Sequence, residues 1–153
     1  MFVWRICRQK HVPDAFSGFG AEKYGGRWNH KGDRMVYAST SLSLAAMELF
    51  VHLQPDVLPA DLHSAAVTVP DGISSEVVAV GDLPANWRSY PAPGKLQEIG
   101  STWLRKMRSL LLVVPSAVNP DEQNVLINPL HPEIRSITAV QSKPFHFDPR
   151  MWK

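Results

Sequence analysis

A helix that is apolar on nearly every side, yet carries one carboxylate, constrains the fold of this chain more than any other feature. It is expected over Ser41-Leu-Ser-Leu-Ala-Ala-Met-Glu-Leu-Phe-Val-His-Leu53. Leu42, Ala45, Ala46, Leu49, Phe50 and Leu53 recur at helical spacing and form one apolar face. Leu44, Met47 and Val51 carry apolar surface round to the other side, so neighbours are expected to cover the helix on most sides. Ser39, Thr40 and Ser41 are candidate N-caps, and Pro55 and Pro59 are expected to end it. Glu48 is its only carboxylate. An unpaired charge in a poorly solvated wall is costly, so Glu48 needs a partner, a raised pKa or a chemical task. His52, four residues on, is the local partner on offer. The plainer alternative is a surface carboxylate facing a solvent slot.

The remaining composition narrows the class. A chain of 153 residues forms one domain by size, expected to span 1–153, and can bury a substantial core. The net charge of +2 is small and the basic residues are dispersed, with one modest cluster at Arg105-Lys106-Met107-Arg108. No direct nucleic-acid binding is therefore expected. Cys7 is the sole cysteine, which excludes an internal disulfide and any multi-cysteine zinc site. It sits in an alternating segment and reads as a buried strand residue. The six histidines lack metal-ligand spacing, and no metal is expected. The five tryptophans form no aromatic and basic ladder of the single-strand-binding kind. No apolar run reaches the roughly 20 residues of a membrane span, and nothing resembles a signal peptide. A cytoplasmic location is expected.

Residues 1–8 read as a strand with Phe2, Trp4 and Ile6 on one face. Residues 13–33 hold five glycines and read as loop. Arg34–Ala38 reads as a second strand. Ala65–Val69 and Glu76–Val80 are strand candidates flanking the turn Pro70-Asp-Gly72. A proline-rich loop covers 83–93. Lys95–Arg108 reads as a helix with Leu96, Ile99, Trp103, Leu104 and Met107 as its apolar stripe, weakened by Gly100. Ser109–Val114 is a continuous apolar run stopped by Pro115, as in a central buried strand. Residues 116–132 read as a structured loop, and 137–147 as a last strand pair or bent strand. The sum is an α+β domain, strand-rich, with few helices and long ordered loops of the kind that carry function.

Four elements can carry chemistry. Gly25-Gly26-Arg27-Trp28-Asn29 offers close backbone approach and a planar arginine fork suited to phosphate or carboxylate. It lacks the spacing of a dinucleotide or P-loop fingerprint, and a tight turn with a surface ion pair explains it equally. Tyr37 is either a core aromatic with a bonded hydroxyl or a stacking platform. Glu48 is the third. In Pro115-Ser-Ala-Val-Asn-Pro120, Ser116 and Asn119 offer neutral hydrogen bonds or simply turn chemistry. Ser116 lies in no nucleophile elbow and is not read as a nucleophile.

Taken in order, Gly26-Arg27-Trp28-Asn29, Tyr37-Ala-Ser39, Ala46-Met-Glu48 and Val114-Pro-Ser116 resemble the RES domain, a family named for its Arg, Glu and Ser. The start Trp4-Arg5-Ile6 and the segment Asn124-Val-Leu-Ile-Asn-Pro-Leu-His-Pro132 resemble the family as well, so the likeness covers essentially the whole chain. The resemblance implies an ADP-ribosyltransferase-like fold. It also implies the toxin of a bacterial type II toxin–antitoxin module, paired with an Xre-type antitoxin and acting on NAD as substrate without a further cofactor. NAD would be degraded, its ADP-ribosyl group passing to water, inorganic phosphate or a protein. Carried over by motif, Arg27, Tyr37, Glu48 and Ser116 would line the NAD pocket, with Asn119 added by proximity.

The residue types suit that chemistry on their own terms. Breaking the nicotinamide–ribose bond develops positive charge on the ribose, which a carboxylate in a poorly solvated wall stabilises. An arginine fork suits a pyrophosphate, a tyrosine ring can stack on nicotinamide, and Ser116 can hold a neutral hydrogen bond. Nicotinamide leaves as a neutral molecule, so no strong general acid is needed. Two rival readings stand beside this one: a small RNase-like toxin using Arg27, a histidine and Glu48, and a non-catalytic module that binds a nucleotide or partner through residues 25–29. A homodimer is a further expectation, with no exposed apolar surface located from sequence.

Overall fold

The computed structural model describes residues 1–54, 56–138 and 140–153. Alternation in the first residues has the expected result. β1 (Phe2–Arg8) pairs antiparallel with β3 (Leu62–Thr68) along its whole length, from Phe2 opposite Thr68 to Arg8 opposite Leu62. On its other side β1 meets β2 (Val36–Ser39) only where Trp4 lies opposite Ser39. β2 continues into β6 (Gln123–Ile127) and then β5 (Leu111–Pro115), both antiparallel. β4 (Ser75–Val77) runs parallel to β5, and β7 (Gln141–Pro144) adds to the free side of β3. The resulting seven-stranded mixed sheet has the order β4-β5-β6-β2-β1-β3-β7.

Period-two alternation gives the sheet two cores. On one face Val3, Val36, Ala38, Val67, Val125 and Ile127 pack with Ile134 and Ile137. On the other, Leu112, Val114 and Leu126 meet Leu96, Trp103 and Leu104 of α3 (Gly94–Lys106). Gly100 does not break this helix. Three large buried side chains, at about 1.5–3 kcal/mol each, outweigh a glycine penalty of about 1 kcal/mol. The glycine is also required, because a Cβ there would collide with the Trp28 carbonyl. α3 therefore presses directly on the loop that carries Arg27.

The helix of Glu48 is α2 (Leu42–Phe50), capped by the Ser41 hydroxyl, which accepts from the Leu44 amide at 3.1 Å. It rests on β1 and β2. Leu44 and Ala45 are buried, but Met47 and Val51 stay exposed, so the helix is covered on fewer sides than its composition suggests. It ends at Phe50, well before Pro59; Pro55 lies outside the described residues. Phe50 instead closes the helix in an aromatic group, with Phe147 at 5.9 Å and Trp152 at 4.7 Å between ring centroids.

Three expectations need correction. The segment 13–33 is not all loop, since α1 (Phe19–Tyr24) forms within it. Residues 116–132 contain β6, an interior strand whose Val-Leu-Ile core is hidden between prolines and asparagines. Residues 137–147 give a single edge strand, β7, in place of a strand pair, among the described residues.

Candidate functional site

One rung of the sheet builds the centre of the site. Register places Ser39 of β2 opposite Asn124 of β6, and Asn124 opposite Val114 of β5. Ser116 lies two residues past Val114, so it points to the same face. The Ser39 hydroxyl donates to Asn124 Oδ1 at 2.7 Å, and Asn124 Nδ2 donates to Glu48 Oε1 at 2.6 Å. The fully buried Ser116 donates its hydroxyl to the same Glu48 oxygen at 2.7 Å. Ser116 Oγ in turn accepts the Val118 and Asn119 amides at 3.2 and 3.0 Å, which fixes its rotor. Glu48 Oε1 is thus held by two neutral donors, and Oε2 has no protein hydrogen-bond partner among the described residues.

The partner expected for Glu48 is therefore wrong. His52 forms no bond with it; it lies past the end of α2, and its ring faces Tyr90 at 6.2 Å. The sequence offered i,i+4 spacing, but tertiary packing turned the carboxylate toward Ser116 and Asn124.

The Arg27 loop is held from below by α3. Gln97 Nε2 donates to the Gly26 and Asn29 carbonyls at 3.0 and 3.2 Å, and the Ser101 hydroxyl accepts the His30 amide at 3.0 Å. Asn29 is fully buried and acts as the keystone. Its amide nitrogen donates to the carbonyls of Ala21, His30 and Asp33, and its Oδ1 accepts the Tyr37 hydroxyl at 2.7 Å. The Tyr37 oxygen also accepts the Trp28 amide at 2.9 Å. Gly26 makes this possible, since a Cβ there would sit 2.7 Å from the Tyr37 hydroxyl. Burial, opposed by these bonds and by Arg27, pushes the Tyr37 pKa well above the usual phenol value. Its hydroxyl is a neutral anchor, and its partly buried ring packs against the α3-side core.

Arg27 donates through Nη1 to the carbonyls of Trp87 and Ser89 at 2.8 and 3.1 Å. Burial lowers its pKa from the ordinary arginine value, and the nearby charge of Glu48, with Tyr37 and Tyr90, acts to raise it. Arg27, Tyr37, Glu48 and Ser116 are thus brought together. Asn119 is not part of the group in the expected way: its side chain is bonded to Glu122 at 2.9 Å, in turn chemistry.

Sequence reasoning passed over three residues. Asn124 and Ser39 lie inside longer motifs, Ser39 otherwise only as a candidate N-cap, and their pairing depends on the β2–β6 register. Arg5 is half-buried and donates through Nη1 to the Tyr37 carbonyl at 2.9 Å, where β1 and β2 no longer pair, and its Nε is enclosed with no partner among the described residues. Burial lowers its pKa from the ordinary value, opposed by Cys7 and Asp14. Cys7 is only half-buried, and burial raises its thiol pKa. A depression of about 500 Å³ borders the Ser116 loop, lined by Thr40, Val77, Val80, Pro115 and Pro120, but it contains neither Arg27 nor Glu48. No group of metal-ligating side chains occurs among the described residues. Among the described residues, no helix is long and apolar enough to cross a membrane.

A carboxylate fixed by neutral donors, beside a partly buried arginine and an anchored tyrosine, is the candidate site that this α+β, strand-rich fold builds. The RES domain model matches residues 2–148, and the chain belongs to the RES domain family. A Toxin Res of Yersinia enterocolitica is 39% identical over 99% of both chains. The Prs ADP-ribosylating toxin of a Sphingobium strain is 41% identical over 97% of this chain and 94% of its own. The crystal structure of the M. tuberculosis MbcT-MbcA toxin–antitoxin complex contains a chain of the same fold, with TM-score 0.74 and 16% identity over 99% of this chain and 86% of that one. Family membership places the protein among toxins.

Proposed function

We propose that this protein is the toxin of a toxin–antitoxin module, and that its site binds NAD and breaks the nicotinamide–ribose bond. The observation that carries the reading is the state of Glu48. Two neutral hydrogen bonds fix one oxygen, and the other has no protein partner among the described residues. The carboxylate is oriented without being neutralised. As the C–N bond breaks, its electron pair leaves with nicotinamide, which departs neutral, and positive charge grows on the ribose. A preorganised carboxylate stabilises that charge in proportion to its growth.

Arg27 suits the pyrophosphate through the guanidinium nitrogens that the loop carbonyls leave free. Tyr37, its hydroxyl tied to Asn29 and Trp28, presents its ring to nicotinamide. Ser116 and Asn124 position Glu48. Water then adds to the ribosyl carbon and gives up one proton, or inorganic phosphate or a protein side chain takes its place. No cofactor or metal is needed in this scheme. An antitoxin, Xre-type by the resemblance, would hold the toxin silent in the cytoplasm of its own cell. The fold shared with a chain of a toxin–antitoxin complex supports a partner of that kind.

The decisive experiment is to incubate the pure protein with NAD, with and without phosphate, in EDTA, and to identify products by mass. Free nicotinamide with ADP-ribose, its phosphate ester or an ADP-ribosylated protein is expected. Intact NAD beside cleaved RNA would favour the RNase-like reading. Tight NAD binding without turnover would mark a binding module. Expression of the free chain with no growth defect and no fall in NAD would end the toxin reading.

A further inference from the structure

We propose that Tyr90 and His52 form an aromatic gate that grips a flat heteroaromatic ring of the dinucleotide at the mouth of the Glu48 site. The proposal rests on the NAD reading and adds two residues to it.

Tyr90 is 82% exposed, the most open of the large apolar side chains. A single exposed ring is ordinary in itself. Here, however, the segment that carries it is fixed to the site. Arg27 Nη1 binds the carbonyls of Trp87 and Ser89, and Arg88 Nε binds the Ala117 carbonyl at 3.0 Å, next to Ser116. Trp87 is buried among the α3-side core. The segment is therefore pinned to the Arg27 loop, the Ser116 loop and the core, while Tyr90 is held out in water. Its ring does not face open solvent on every side. The His52 ring stands opposite, with centroids 6.2 Å apart and planes tilted by 57°. His52 lies just past the end of the Glu48 helix, in the turn that follows it. One jaw is thus tied to Arg27 and the other to Glu48.

The spacing suits a gate. Two rings embracing a third need about 7 Å, twice the roughly 3.5 Å of carbon–carbon contact. An opening of about 1 Å from the present separation, with rotation of the exposed Tyr90 toward parallel, admits one flat ring. Side chains this exposed change rotamer on the ps–ns scale. NAD offers two such rings, nicotinamide and adenine, and the same stacking would hold either one.

The test measures NAD affinity and turnover for wild type, Tyr90→Ala, Tyr90→Phe and His52→Ala, with binding of nicotinamide mononucleotide and ADP-ribose alongside. Loss of one stacking wall is expected to raise Kd and KM for NAD by about 10-fold or more, with kcat changed far less. Tyr90→Phe is expected to restore the affinity, because the ring and not the hydroxyl makes the contact. An unchanged melting temperature for the exposed Tyr90→Ala separates this from misfolding. If nicotinamide mononucleotide weakens with NAD, the gate holds nicotinamide. If ADP-ribose weakens with NAD, it holds adenine. Wild-type NAD turnover with Tyr90→Ala at wild-type KM would overturn the gate and leave the NAD reading standing. Wild type that neither binds nor consumes NAD would overturn both. Loss of antitoxin binding with unchanged NAD affinity would reassign Tyr90 to the protein interface and end the proposal.

Discussion

Glu48→Gln isolates charge from shape. Glutamine keeps the size of the side chain, and its carbonyl oxygen can still accept from Ser116 and Asn124, which now bind Oε1 at 2.7 and 2.6 Å. The amide nitrogen then takes the place of Oε2. Two charge-assisted bonds become neutral ones, a loss of about 1 kcal/mol each, partly offset by removal of a half-buried charge. A net change of about 1–2 kcal/mol in a chain of this size lowers Tm by only a few degrees. Turnover is expected to fall by roughly 100-fold or more, on the order of 3 kcal/mol, because the opposed charge develops mainly in the transition state. NAD affinity should change much less. Nicotinamide release, calorimetric NAD binding and thermal melting on this one variant separate the cases. Turnover within 10-fold of wild type would show that the negative charge is not what the reaction uses. A collapsed melting transition would make Glu48 a structural ion and refute the argument from its free oxygen.

Arg27→Lys is expected to weaken NAD binding substantially although it keeps the charge, since lysine reproduces neither a bidentate fork nor the bonds to Trp87 and Ser89; equal affinity by calorimetry would contradict this. Tyr37→Phe should cost about 1–3 kcal/mol in denaturant melts, because the Trp28 amide and the Asn29 Oδ1 both lose their partner. The raised Tyr37 pKa adds a pH signature: the folded protein keeps a proton that the unfolded chain loses above about pH 10, so wild-type stability should fall as pH rises past that value. That slope should be smaller in Tyr37→Phe, and identical slopes would count against the buried hydroxyl. Gly100→Ala should destabilise the protein by about 3 kcal/mol, at the upper end for overpacking, and reduce NAD binding, because the new methyl group displaces the Trp28 backbone beside Arg27. Wild-type melting would refute that geometry.

The parts of the fold that periodicity controls were legible in the sequence: the strand at the N-terminus, α2 with its Ser41 cap, α3 with its apolar stripe, and the buried run that became β5. β6 was not, because a five-residue strand between asparagines and prolines carries too short a signal, and only pairing with both β2 and β5 makes it interior. The site divides in the same way. Arg27, Tyr37, Glu48 and Ser116 stood out as residue types at element edges. Asn124 did not, because its place opposite Ser39 is a fact of register, and register is set by partners that one strand does not name. The choice of His52 for Glu48 failed for a related reason. Helical spacing lists who can meet on an isolated helix, whereas a half-buried carboxylate is settled by the donors the sheet presents to it.

Those donors show how the proposed site would combine stability with reactivity. Had an arginine or lysine paired with Glu48, the charge would be better solvated but largely cancelled toward a ligand. The hydroxyl of Ser116 and the amide of Asn124 satisfy the oxygen without adding a charge, and their other atoms are fixed in turn, by Ser39 and by the amides of Val118 and Asn119. Arg27 is meanwhile anchored on backbone carbonyls, which restrain it yet leave its cation uncancelled. The fold thereby keeps one negative and one positive group close together with neither quenched by the other. A dinucleotide that carries a cationic nicotinamide ring and an anionic pyrophosphate has the complementary pattern. In the proposed reaction, charge growing on the ribose would meet a fixed carboxylate already in place, so little reorganisation would accompany the step.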